Sequence, residues 1–332
     1  MPFKALWVTE KNGAQFERTI IERSIDDLPP GDVLIAVHYS SLNYKDALSA
    51  TGNKGITRKF PHTPGIDAAG VVELSRSEQF AVGDEVLVTG YDLGMNTAGG
   101  FGQYIRVPAQ WVVMKPEAYT LKECMIIGTA GFTAAMGLYK MQLLEQTPEK
   151  GPIVVTGSTG GVGSLAVALL SNAGFEVVAV TGKPNAWEYL QHLGAARMES
   201  RDYVNDQSGK ALIKSQWAGA IDTVGGNTLV TLLKGCKGDG CVVSTGLVGS
   251  PKLEATVYPF ILNGVNLLGV GSAETPMTTR LAIWERLSTT WNIKDKLHAI
   301  AKEVTLDELN STYIDQILQG KIMGRIVVNL LD

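Results

Sequence analysis

The segment Thr156-Gly157-Ser158-Thr159-Gly160-Gly161-Val162-Gly163-Ser164 joins the short apolar run Ile153-Val154-Val155 to the longer one that opens at Leu165. Glycines spaced in this way between a strand and a helix suit one kind of chemistry, the holding of a pyrophosphate. Gly161, Gly163 and Ala166 satisfy G-x-G-x-x-G/A, whose small residues permit a tight turn, close backbone approach to the phosphates and close helix–strand packing. The helix that follows would offer unpaired N–H groups and a positive dipole end to the anion. Thr159, Gly160, Gly161 and Val162 are the expected contacts.

Discrimination between dinucleotides is expected about twenty residues further on, at the end of the next strand. There the chain reads Val180-Thr181-Gly182-Lys183-Pro184, with no acid. An Asp or Glu would hold the ribose hydroxyls of NAD and repel a 2′-phosphate. Thr181, Gly182 and Lys183 instead offer a hydroxyl, a backbone N–H and a cation, which favours NADP(H). Arg201 is open to two readings, a guanidinium at the adenine or phosphate end and a solvated surface charge. Short-chain dehydrogenases share the pattern T-G-x-x-x-G-x-G, but no Tyr in this chain has a Lys four residues later.

The elements that must position these residues follow from hydrophobic periodicity. Before residue 115 the chain holds short Val/Ile/Leu runs, such as Val33–Val37 and Asp84–Val88, separated by Gly, Pro and Asp turn signals. That part reads as mainly β. From Pro152 onward the strands PIVVTG, FEVVAVTG, AGAIDTVGG, GCVVSTGLVG and VNLLGVGS alternate with helix-length stretches, which predicts a parallel α/β sheet. The segment after about Pro276 contains a helix around Arg280–Leu287, another near Leu306–Leu318 and a terminal strand, RIVVNLL. It is too short for a core of its own and is expected to join the N-terminal β half.

The 332 residues suggest two domains and a large apolar core, with 29 Lys+Arg against 33 Asp+Glu. A net charge of −4 argues against nucleic acid and acidic membranes as partners. The N-terminal segment lacks the apolar stretch of a signal peptide, and a cytoplasmic location is expected. Cys124, Cys236 and Cys241 form no C-x-x-C pair and read as buried free thiols.

Nine ordered blocks carry a resemblance over nearly the whole chain: SSLNYKDA, FPHTPGIDAAG, GGFGQY, MIIGTAGFTAA, TGSTGGVGS, AGAIDTVGG, TGLVG, YPFILNGVNLLGVGS and GRIVV. Together they resemble the quinone-oxidoreductase-like branch of the medium-chain dehydrogenase/reductases, and within it the acryloyl-CoA reductase group. The resemblance implies an α/β fold with a Rossmann-type doubly wound parallel sheet and a β-rich GroES-like catalytic domain. The expected domains are 123–272 for NADP binding, and 1–122 with 273–332 for the catalytic domain. It also implies a homodimer, with a sheet edge pairing between copies.

Zinc-dependent members of the superfamily place a Cys where the SLNYKD block stands here, and a His-Glu pair in the block that reads Gly65-Ile66-Asp67. Neither is present, nor a lobe with four close cysteines, so no metal site is expected. His38, His62, His192 and His298 read as structural or surface residues. Without a metal, a conjugated enoyl thioester remains a hydride acceptor, because conjugation spreads the developing charge onto its oxygen. Asn43, Tyr44, Lys45 and Asp46 are then the catalytic candidates, with Asn43 and Tyr44 near the nicotinamide and substrate and Tyr44 or a water relaying a proton. Lys45 and Asp46 are open to a second reading, a local ion pair that orients the block.

Further contacts follow from the resemblance and from the rule that ligands of such sheets gather at strand C-termini. These are Thr223, Val224, Gly246, Leu247, Gly271 and Ser272. Leu247 would support the nicotinamide face, with Ser272 and Ile261 at its amide end. Gly131 and Thr133 would lie beside the cofactor, or the stretch Gly128–Ala135 would serve interdomain packing. Arg325 is expected to meet a phosphate or carboxylate of the substrate, or else to be a strand-end surface charge. The activity implied is NADPH-dependent reduction of the C=C bond of acryloyl-CoA or a similar small enoyl-CoA. The alternatives are NADPH:quinone oxidoreductase and a non-catalytic NADPH-binding redox sensor.

Overall fold

Two ten-residue strands open the chain, Pro2–Lys11 (β1) and Gln15–Ser24 (β2), paired antiparallel from Pro2↔Ser24 to Lys11↔Gln15. The structure, a computed structural model, describes residues 1–12 and 15–331. Val33–Leu42 (β3) follows, and Asn43 ends it as the N-cap of a short helix, Tyr44–Ala50 (α1). The strands Asp67–Ser75 (β4), Glu85–Thr89 (β5), Tyr104–Val107 (β6) and Val113–Met114 (β7) complete the N-terminal part. Their inward-facing Val, Ile and Leu share a core with Phe101 and Leu93.

Leu121–Leu143 (α2) starts on a reciprocal cap between Thr120 and Glu123, in which each backbone N–H donates to the other's side chain. It is broken at Gly128, where φ is 49° and ψ −158°. The chain divides beside this break into two units. One is Met1–Thr129 with Ala273–Ser288 and Ile300–Asp332, and the other is Ala130–Ser272 with Thr289–Ala299. The boundary thus lies at 129/130 rather than at 122/123, because the first turns of α2 stay with the β half. Residues 289–299, expected in the β half, pack in the second unit, where Lys296 donates to the Leu193 carbonyl and Asn172 to that of Thr290.

In the second unit the order is Ile153–Thr156 (β8), Gly161–Asn172 (α3), Val177–Val180 (β9), Trp187–His192 (α4), Arg197–Glu199 (β10) and Trp217–Asp222 (β11). Gly226–Lys234 (α5), Cys236–Ser244 (β12), Tyr258–Asn263 (α6) and Asn266–Gly269 (β13) follow. The six strands are ordered β10-β9-β8-β11-β12-β13 and every pairing is parallel. This is the doubly wound arrangement, in which the chain reverses direction across the sheet beside β8 and leaves a crevice at its carboxyl end. Strand β10 is a difference from the expected elements, since its three residues, Arg-Met-Glu, carry no apolar run.

The chain then forms Met277–Ser288 (α7), Lys294–Ile300 (α8), Ala301–Val304 (β14) and Arg325–Asn329 (β15). The first unit's larger sheet is ordered β14-β15-β3-β4-β5-β7, with β6 also paired to β3. The helix expected over 306–318 is three short pieces, a turn of α-helix, a π-helical segment at Leu309–Tyr313 and a second α-helical turn.

Candidate functional site

The glycine loop behaves as its spacing requires. Gly157 has φ of 57°, and a side chain on it would meet the Thr223 hydroxyl at 2.2 Å. A Cβ on Gly163 would lie 2.2 Å from the Gly157 carbonyl oxygen, so α3 rests directly against the loop. Gly160 caps α3 without a side-chain hydrogen bond, and the first turn contains no acid. The leading N–H groups of a twelve-residue helix, those of Gly161, Val162 and Gly163, therefore have no partner within the helix. The loop is pinned from behind: the Ser158 N–H and hydroxyl both donate to the Val180 carbonyl, and Gly160 N–H donates to that of Gly157.

At the end of β9 five of the expected residues converge. The Thr159 and Thr181 hydroxyls lie 3.3 Å apart, and the Lys183 N–H donates to the Thr181 hydroxyl at 3.1 Å. Gly182 lies against Arg201: a Cβ there would sit 2.4 Å from the guanidinium Nε. Partial burial lowers the Lys183 pKa and the neighbouring Arg201 lowers it further. The two neighbouring cations repel each other, and a dianionic phosphate between them would relieve that repulsion.

The carboxyl ends of β8, β11 and β12 are tied together by a residue that sequence reasoning missed. Asp222 is fully buried, accepting from the Thr156 hydroxyl at 2.6 Å and from the N–H groups of Gly225 and Val224 at 2.7 and 3.2 Å. Burial raises its pKa, and these hydrogen bonds oppose the rise. The signal was present in the block AGAIDTVGG, where an acid stands at the end of an otherwise apolar strand. Thr223 donates through N–H and hydroxyl to Thr156, and Gly246 abuts the Thr223 carbonyl, at 2.3 Å from a built Cβ. Thr133 and Ser272 also meet, hydroxyl to hydroxyl at 2.8 Å. Leu247 and Ile261 are 61% and 69% exposed, on the loop after β12 and on α6, so neither is packed into this group.

In the first unit the Asn43–Asp46 block is arranged differently from the expectation. Asp67, fully buried, accepts from the Ser41 hydroxyl at 2.7 Å, the Asn43 amide at 2.8 Å and the Thr129 hydroxyl at 2.6 Å. Both its oxygens also take the Thr129 N–H, so Asp67 caps α2 beyond its break. Gly128 is what admits it, since a Cβ there would lie 2.6 Å from Asp67 Oδ2. Arg325, 3% exposed, donates to the carbonyls of Ile126 and Leu42, to Asn43 Oδ1 and to the Ser41 hydroxyl, with Asp67 3.6 Å away.

These contacts correct three expectations. Arg325 is neither a ligand for a substrate anion nor a surface charge, because its donors are spent on buried partners. Asn43 has both ends of its amide occupied, on Asp67, Asp46 and Arg325, and holds the block rather than reaching outward. Asp46 does not pair with Lys45. Its carboxylate accepts from the N–H groups of Asn43 and Ile66, both at 2.8 Å, and burial together with Asp67 raises its pKa to about 7. The exposed members of the block are Tyr44, at 41%, and partly Lys45.

Residues 29–117 match the family model of the alcohol dehydrogenase GroES-like domain, and residues 161–287 that of zinc-binding dehydrogenases. The chain is 42% identical over 329 residues to the acrylyl-CoA reductase AcuI of Ruegeria pomeroyi, covering 99% of both proteins. Among solved structures it is similar to Escherichia coli K-12 YhdH with bound NADPH, at a TM-score of 0.94 and 42% identity over 98% of this chain and 99% of that one. It is likewise similar to Bacillus subtilis YhfP with bound NAD, at 0.96 and 45% identity over 99% and 100%.

A zinc of the kind the second family description implies does not fit the residues present. Among the described residues no group of three or more His, Cys, Asp and Glu is placed to hold a metal. Where β3 ends, the Arg325 guanidinium already faces Asp67, and its charge would repel a divalent cation. The full-length identity, both family models and the shared fold establish that this chain belongs to the AcuI/YhdH-like group of the medium-chain dehydrogenase/reductase superfamily.

Proposed function

We propose that this oxidoreductase uses NADPH to reduce the C=C bond of acryloyl-CoA or a similarly small enoyl-CoA, giving the saturated thioester. The observation that carries the cofactor choice is the nearness of the Lys183 and Arg201 cations at the end of β9, with Thr181 beside them and no acid there. Support for the substrate is the full-length similarity to an acrylyl-CoA reductase.

When bound, NADPH supplies a hydride to the β-carbon of the substrate. The protein's part is positional and electrostatic. The first N–H groups of α3 hold the pyrophosphate, and Lys183 and Arg201 hold the 2′-phosphate. Asp222 fixes the three strand ends that shape the floor of the crevice. In the first unit the buried cluster of Asp46, Asp67 and Arg325 secures Asn43 at the head of α1 and so sets the direction in which Tyr44 projects. Tyr44 carries the one phenol of the block and is assigned the delivery of a proton to the α-carbon.

The test is oxidation of NADPH on addition of acryloyl-CoA, followed by absorbance. Rapid turnover is expected. Fast reduction of small quinones with no turnover of acryloyl-CoA would replace the enoyl thioester by a quinone, and tight NADPH binding without turnover on either would make the chain a binding protein.

A further inference from the structure

Behind the phosphate loop lies a line of hydroxyl groups that the proposed reaction does not use. Tyr189, on α4, donates its phenol to the Ser164 hydroxyl at 2.8 Å, and Ser164, in the first turn of α3, donates in turn to the Ser158 carbonyl at 3.2 Å. Ser158 is the loop residue already fastened to the end of β9 through Val180. Ser164 is fully buried, and Tyr189 is half-buried with its hydroxyl turned inward. Helix α4 is reached from Lys183 by the single turn Pro184–Ala186, whose Ala186 side is buried. One end of the line therefore belongs to the segment that follows Lys183, and the other to the loop that faces the pyrophosphate.

From this geometry we infer that Tyr189 is a positioning residue for the dinucleotide: acting through Ser164, it holds the phosphate loop in its binding shape. The inference rests on the reading that this unit binds NADP(H). Gly157 and Gly160 leave the loop few conformational restraints of its own, so its shape depends on hydrogen bonds from outside it. The Ser158 carbonyl is the point at which Ser164 supplies one, and Tyr189 fixes the Ser164 hydroxyl in the orientation that reaches it. Burial also pushes the Tyr189 phenol up to about 12, so it stays protonated and able to donate throughout the neutral range.

The experiment compares two ligands on the ligand-free enzyme by calorimetry or fluorescence titration. NADP⁺ carries the pyrophosphate and the 2′-phosphate, whereas 2′-AMP carries only the latter. In Tyr189→Phe, loss of a single hydroxyl link is expected to weaken NADP⁺ roughly three- to tenfold and to leave 2′-AMP within about twofold. The KM for NADPH should rise with kcat unchanged, by the same factor from pH 6 to 9. Ser164→Ala, which cuts the line at its next member, should reproduce the pattern, and the double variant should be no weaker than the worse single one. NADP⁺ binding equal to wild type in both variants, or equal losses for NADP⁺ and 2′-AMP, would overturn the inference. Failure of the wild-type protein to bind NADP⁺ at all would instead remove the cofactor reading beneath it.

Discussion

Replacing Arg325 by Met tests the rearranged view of the first unit, because Met keeps much of the aliphatic stem and removes only the guanidinium. The guanidinium serves two carbonyls, one amide oxygen and one hydroxyl, and stands 3.6 Å from a fully buried carboxylate. Removing one partner of a buried pair leaves an uncompensated charge and costs about 3–5 kcal/mol, within which the individual hydrogen-bond losses are not additive. The assay is urea unfolding followed by tryptophan fluorescence, to which Trp7, Trp111 and Trp284 of this unit contribute among the six of the chain, read as a midpoint shift at constant slope. The loss should depend on pH. Without the cation, Asp46 and Asp67 repel each other unscreened, and protonation of Asp46, whose pKa is already raised to about 7, relieves this, so the variant should lose more at pH 8 than at pH 5. Asp67→Asn combined with Arg325→Met should cost less than the sum of the two single changes. A loss below about 1 kcal/mol at pH 8, or a larger loss at pH 5, would refute the buried-pair account.

Three further outcomes are expected. Lys183→Glu should reverse the preference from NADPH toward NADH, since an acid would then face the 2′-phosphate; unchanged selectivity in competition kinetics would take Lys183 out of the account. The Asp46 pKa is raised in the folded state, so its stabilising contribution is full near pH 4 and is lost as pH rises through about 7. The stability of wild type relative to Asp46→Asn should therefore fall between pH 5 and 8, and a flat difference in thermal midpoint would contradict this. Gly163→Ala drives a methyl to 2.2 Å from the Gly157 carbonyl, and should abolish NADPH binding in a fluorescence titration while circular dichroism shows the fold retained.

What the sequence reveals depends on how local the cause is. The glycine turn was legible because glycine spacing and a strand–helix junction are properties of one short segment, and the position of Thr181 and Lys183 at the end of β9 followed from a fixed offset. Arg201 required the fold, since only the return of β10 beside β9 brings its guanidinium onto Gly182. The Asn43–Asp46 block was found but its orientation was not. Whether Asn43 faces inward depends on Asp67 and Arg325, which lie 24 and 282 residues away along the chain. The unit boundary was misplaced because the break at Gly128 lies inside an unbroken apolar stretch, where a single positive φ leaves no mark on periodicity. Short elements such as β10 and β14 were missed for a related reason, as three or four residues cannot display a period.

The most direct test of the central claim follows a deuterium atom. Acryloyl-CoA is incubated with NADPH labelled at the transferable C4 position, and the thioester product is examined by NMR and mass spectrometry. The proposal predicts one deuterium at the β-carbon, and in heavy water with unlabelled NADPH one deuterium at the α-carbon. Label at the α-carbon from NADPH, or no saturated thioester while the cofactor is oxidised, would contradict it.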